Sequence, residues 1–251
     1  MKVAIVGRGK VGRAFARALA SYTPLAVGRK LPRTLDVDLV LLAVPDAQIA
    51  SVAEQLDVRG CVLHTAGSRG VEELASLRAR GASVGVLHPM VSFASVKQLP
   101  SLHGTTFTLY GDRRATQAGR KLARIVGARP LVLASAPGPE YHAAAALLAN
   151  GAAALAAHAS SILSAFPRRE RERALAGLLA SVADNIASVG LPGALTGPVV
   201  RGDVEAVRRH LAALPAAQAR AYLRVLPLIV ATAREAGLAP ATARALLRLA
   251  R

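Results

Sequence analysis

This 251-residue chain predicts an α/β fold: a doubly wound sheet, followed by an all-helical domain. Three observations carry that expectation. Short β-branched runs alternate with helical segments from residue 1 to about 135. A Gly-x-Gly-x-x-Gly turn joins the first run to the first helix. Past residue 140 the strand signals nearly stop, and the rest is rich in Ala, Leu and Arg. Near-continuous apolar strands spaced by helices imply a parallel sheet covered on both faces.

Seven segments read as strands: 2–7, 24–28, 38–44, 61–66, 83–89, 105–111 and 128–134. Helical patterns fill the gaps at Val11–Ser21, Ala47–Leu56, Val71–Ala79 and Ala115–Val126. Beyond "SAPGPE" (135–140), helices are broken by "AFPRR", "VGLPGALTGP", "LAALPAA" and "EAGLAP". The expected division is therefore 1–136 for the sheet domain and 137–251 for a helical substrate and dimerisation domain.

"VAIVGRGKVGRAFARAL" is strand, turn and helix, with glycines at Gly7, Gly9 and Gly12. They suit a tight turn, close approach of a pyrophosphate, and close packing of helix on strand, which is the Rossmann fingerprint. Lys10 and Val11 open the helix, whose free N–H groups and dipole favour an anion. A tight βα turn without ligand is the alternative. Where an NAD-preferring site places an acid, this chain reads Gly28-Arg29-Lys30. Two cations there favour NADP(H) over NAD(H), Arg29 being able to grip a 2′-phosphate bidentately. A solvated basic turn is the alternative.

Val44 and Pro45, after the third strand, are expected to border the nicotinamide side of the cofactor. "HTAG" (64–67) and "HPM" (88–90) end the next two strands at the carboxyl edge, where open α/β sheets bind ligands. Thr65 is the cofactor contact expected there. His64 reads as a packing histidine. His88, in front of a proline, divides evenly between site and packing roles.

Composition narrows the classes. Hydrophobic residues make up 53%, enough for a sizeable core. The net charge of +17 invites nucleic acid as a partner. Against that, only five of the 32 basic residues are lysine, the arginines are scattered, and 3% aromatics leave few stacking platforms. Nucleic acid is not expected as the main partner, and no metal is expected. The lone Cys61 permits no intrachain disulfide, which fits a reducing cytoplasm. A strand starting at residue 2 leaves no room for a signal peptide.

Pro139–Phe166 carries no formal charge after Glu140. It is long enough to cross a bilayer, but alanine dominates it and Asn150, Gly151 and His158 interrupt it. The expectation is the buried centre of a domain or of a dimer, not a membrane span. His142, Ala146 and Asn150 share a helix stripe, beside Tyr141. Such polar groups need partners; a substrate is one candidate for His142, and its own domain is the other. In "LTGPVVRGD", Asp203 suits an N-cap, a duty that alone explains it. Arg201 has no such local duty and could grip a substrate carboxylate.

"GRGKVG", "VPD", "HTAG", "LHPM", "YHAAAALLANG" and "LTGPVVRGD" follow the order and spacing of a bacterial family. Over nearly its whole length the chain resembles Rossmann-like proteins with a domain-of-unknown-function-2520 C-terminal half. These are relatives of the 6-phosphogluconate dehydrogenase C-terminal-like superfamily. The resemblance implies an NAD(P)-binding domain followed by a helical domain, usually dimeric. It also implies similarity to ketopantoate reductases, pyrroline-5-carboxylate reductases and β-hydroxyacid dehydrogenases. Asn150 matches the asparagine that the helices of ketopantoate reductases and β-hydroxyacid dehydrogenases carry. Their proton-donating lysine has no counterpart, since no lysine follows Lys121. The general acid is then His142, Tyr141, His88 or water, with histidine the most economical.

Two functions follow as expectations. The first is an NADPH-dependent reductase of the C=O or C=N of a small carboxylate-bearing metabolite, a ketopantoate-like 2-keto acid or a cyclic imine. In it His142 supplies the proton and Asn150 orients the substrate. Arg201, Asp203, His88 and Tyr141 line its site. The second is a non-catalytic NADP-binding sensor or interaction protein.

Overall fold

The computed structural model describes residues 1–27 and 35–250. Two compact units divide the chain: Met1–Ala149 and Asn150–Arg251.

The first unit holds β1 (Val3–Val6), α1 (Lys10–Ala18), β2 (Leu25–Val27), β3 (Leu39–Leu42), α2 (Ile49–Gln55), β4 (Cys61–His64), α3 (Ala75–Ala79), β5 (Ser83–Pro89), β6 (Thr106–Gly111), α4 (Arg113–Ile125) and β7 (Arg129–Val132). Its seven-stranded sheet has the order β2-β1-β3-β4-β5-β6-β7. Strands β1 to β5 run parallel.

Both faces of the central strands are apolar, and alternate residues feed separate cores. Val3, Ile5, Leu39, Leu41 and Leu63 join Phe15 and Leu19 of the α1 region and Leu122 of α4. Val6, Val40, Leu42 and Val62 join Ile49 and Ala53 of α2 and Leu74 and Leu77 of the α3 region.

The expected all-parallel sheet needs a correction. β6 pairs antiparallel with β5, and β7 parallel with β6, so the last two strands run against the rest. The physical reason is the connection. Residues 90–105 contain no helix, and without a crossover helix the chain can only turn back beside β5. This register sets His88 directly opposite Thr108.

α5 (Pro139–Ile162) follows, and the division between the units falls inside it. Its first turn is tied to the sheet by the Tyr141 hydroxyl, which keeps it with the first unit. The second unit continues with α6 (Arg168–Val189), α7 (Val204–Ala213), α8 (Ala216–Glu235) and α9 (Pro240–Arg248). Val207, Leu226, Val230, Ala233 and Leu246 form its core.

No residue of α5 or α6 is buried. The expectation that α5 is the buried centre of its own domain is therefore overturned. By length and composition α5 could cross a membrane, at a mean hydropathy of 1.3. Alanine bears on both facts: it raises hydropathy while its methyl group fills little space.

Candidate active site

The glycine loop has the shape a bound pyrophosphate needs. Gly7 takes φ +117°, and a β-carbon there would overlap the Ala43 carbonyl. A β-carbon on Gly12 would overlap the Gly7 carbonyl, so α1 can lie against the strand only with glycine at that point. At Gly9 the same test finds open space. Gly9 is the N-cap of α1, and no side chain caps the helix. The N–H groups of its first turn, those of Lys10 and Val11 among them, thus face an open place suited to an anion. This fits a dinucleotide, whose chemistry when bound is hydride transfer.

The loop ends β1, beside β3, at the point where strand order reverses. Val44 and Pro45 leave β3 at the same edge, Pro45 exposed and Val44 half-buried. Thr65 leaves β4 there too, held by its N–H to the Leu42 carbonyl at 3.2 Å. Ser68 donates to Asp46 at 2.7 Å, tying together the loops that follow β3 and β4. Arg29 and Lys30, which bear on the choice of cofactor, lie outside the described residues.

Farther along the edge is a polar cluster. The His88 Nδ1 lies 2.7 Å from the Tyr141 hydroxyl. That hydroxyl donates to Thr108 Oγ1 at 2.9 Å. The rings of His88 and Tyr141 meet edge-on at 5.5 Å, and His142 meets His88 the same way at 6.1 Å. His142 itself is exposed. Gly67 lies against the His88 imidazole, and a β-carbon there would stand 2.6 Å from Nε2. Burial above all, then the neighbouring His142, lowers the His88 pKa to about 4. The imidazole is thus neutral at pH 7. Burial also raises the Tyr141 pKa, against the opposing hydrogen bond to Thr108.

His64 does what its packing reading expects. It is fully buried, its Nε2 lies 2.9 Å from the Gly70 carbonyl, and its Nδ1 accepts from the Ala66 N–H at 3.3 Å. That leaves the proton on Nε2 and staples the 64–70 loop, which carries Gly67 to His88. Burial lowers its pKa as well.

In the second unit, Asp203 accepts from the Ala206 N–H at 2.8 Å and caps α7. One oxygen of its carboxylate thereby serves the helix, as its capping reading expects. Arg201 is exposed and has no ion-pair partner among the described residues. Asn150 is exposed on α5.

Sequence reasoning missed Thr108 and the Gly67–His88 contact. The only available signal was "TTFTLYG" itself, a polar residue amid apolar neighbours, and its meaning depended on an antiparallel partner that no local pattern announces.

A glycine-loop βα unit at the reversal of strand order, followed by a helical unit, defines a Rossmann-like α/β protein. Comparison agrees: residues 29–89 match the Rossmann-like domain family, and residues 105–228 match the domain of unknown function family (DUF2520). The two matches follow one another in the order of the pairing its motifs resemble. No curated protein matches the sequence. Among solved structures, a protein from Thermotoga maritima is similar at 25% identity and a TM-score of 0.63, over 99% of this chain and 98% of that one. An imine reductase from Pseudomonas sp. is similar at 20% identity and a TM-score of 0.60, over 100% and 99%. A reductive aminase from Aspergillus terreus, solved with NADPH and ethyl levulinate, is similar at 16% identity and a TM-score of 0.54, over 99% and 92%.

Proposed function

We propose that this protein is an NADPH-dependent oxidoreductase that reduces the C=O or C=N of a small carboxylate-bearing metabolite. The observation that carries this reading is one sheet edge holding two things: a glycine loop with open space at Gly9, and the cluster of His88, Tyr141, Thr108 and His142. The imine reductase and the NADPH-bound reductive aminase among the structural relatives support the same class.

Each residue has a physical task in this reading. The N–H groups at Lys10 and Val11 bind the pyrophosphate, and Arg29 and Lys30 select the 2′-phosphate. His142, exposed and next to His88, exchanges protons with solvent and supplies one to a carbonyl substrate. Arg201, free of ion pairs among the described residues, is the candidate ligand for a carboxylate. Asn150 is the candidate for substrate orientation.

Fluorescence titration tests the cofactor. NADPH is expected to bind more tightly than NADH, with Arg29→Ala narrowing the gap; equal affinities in the parent protein count against the assignment. A panel of 2-keto acids and cyclic imines, followed by NADPH absorbance, tests the chemistry. His142→Ala should leave NADPH affinity nearly unchanged and lower keto-acid turnover by about 10²–10⁴-fold. A pre-protonated imine should lose less. Cofactor binding without turnover on any compound would point instead to a sensor.

A further inference from the structure

We propose that Thr108, acting through Tyr141, fixes His88 as the hydrogen-bond acceptor of the site, with a bare Nε2, and that this selects a protonated imine as substrate over a ketone. The second part rests on the reductase reading; the first stands on this chain alone.

A tyrosine hydroxyl has one hydrogen. That of Tyr141 goes to Thr108 Oγ1, leaving only lone pairs toward His88. The 2.7 Å contact is then made by the N–H of Nδ1, which donates to the Tyr141 oxygen. A neutral imidazole protonated on Nδ1 is unprotonated on Nε2. Thr108 is fully buried and opposite His88 in the β5–β6 ladder, so the anchor of this arrangement is the sheet itself.

Nε2 is also free to act. Among the described residues it has no hydrogen-bond partner, yet it is not one of the buried unpaired atoms. It stands beside Gly67, whose lack of a β-carbon lets the imidazole lie against that backbone. The titratable and charged groups facing the ring are His142 and Tyr141 from α5, His64 from β4, and Asp46 from the loop after β3. The net result of burial and these neighbours keeps the ring neutral.

A bare nitrogen accepts; it has nothing to give a carbonyl oxygen. A ketone therefore meets two lone pairs facing each other, whereas an iminium presents an N–H and a positive charge to Nε2. The reaction also balances without a proton from the protein. Hydride added to the iminium carbon would move the C=N electron pair onto the already protonated nitrogen. The products are a neutral amine and oxidised cofactor. Thr108 and Tyr141 are positioning residues in this scheme, and His88 touches the substrate.

Two-bond ¹H–¹⁵N correlation spectra of the cofactor-free protein test the first part, with the His88 signal assigned by its loss in His88→Gln. The expected pattern is a neutral ring protonated on Nδ1. Thr108→Val should shift the tautomer population, while Thr108→Ser, which keeps the acceptor and fits the same space, should retain it. An Nε2-protonated ring in the parent protein, or a tautomer indifferent to Thr108→Val, overturns the assignment and leaves the reductase reading standing. NADPH consumption on matched cyclic imines and ketones tests the second part. The expected result is higher kcat/KM on imines, lowered about tenfold by Thr108→Val through loss of one aligned hydrogen bond. Faster ketone reduction overturns the substrate class. No turnover on either set defeats the reductase reading, while the spectra still decide the role of Thr108.

Discussion

His64 and His88 end adjacent strands, yet partners give them opposite work. His64 has both ring nitrogens occupied by backbone and holds a loop. His88 has one nitrogen held by a side chain and the other without a partner among the described residues, against Gly67. Nothing in "HTAG" or "LHPM" states this difference, because it depends on which atoms face each ring in three dimensions. A pH prediction follows from the low His88 pKa. In the unfolded chain this histidine takes up its proton near pH 6.5, in the folded chain near 4. Between those values the unfolded state binds more protons, so stability falls as pH drops from about 6.5 toward 4. At about 1.4 kcal/mol per unit the effect is on the order of 3 kcal/mol. His64, also shifted downward by burial, adds to it in the same direction. Thermal unfolding across that range should show the decline, and His88→Gln should flatten it. An unchanged slope in His88→Gln would show that His88 contributes nothing to it.

At the scale of elements, the glycine loop and the α7 cap were both legible, because each is a local device. Gly7, Gly9 and Gly12 are dictated by what lies within a few residues of one turn, and Asp203 by the first N–H groups of its own helix. Asp203→Ala should cost about 1 kcal/mol of stability through loss of the cap. Thermal denaturation of the second unit reads this directly. Asp203→Asn should recover most of the loss, whereas a carboxylate needed for charge would not be replaced by the amide. The direction of β6 and β7 was not legible. Their residues alternate as those of either kind of strand would, and only the helix-free connection at 90–105 decides that they return antiparallel. Without that reversal Thr108 would not face His88, and Tyr141 would have no bridge to make.

For the whole molecule, the outstanding feature is the apolar surface of α5 and α6. Leu147 and Leu148 are 74% and 71% exposed, with Leu178 and Val189 also in the open. Exposed apolar area of this extent calls for a cover. We propose a second copy of this chain as that cover, making the protein a homodimer. Sedimentation at micromolar concentration should give about twice the 25.9 kDa chain mass. The double substitution Leu147→Glu, Leu148→Glu should dissociate it. A parent protein that sediments as a monomer removes the proposal. If the glutamates leave a dimer intact, its interface lies elsewhere.

The sequence by itself determined the α/β layout, the glycine loop, the order of strands and helices and the cap at Asp203. Each follows from short-range patterns: a period of two or 3.6, a missing β-carbon, a hydroxyl or carboxylate at a helix start. The tertiary structure decided the reversed strands, the pairing of His88 with Thr108, the bridge from Tyr141, and the exposure of an apolar helix that composition alone would bury. These depend on which distant segments meet. Hydrophobicity says that a surface must be covered, and hydrogen-bond chemistry that a polar group must be paired. Only the fold names the partner.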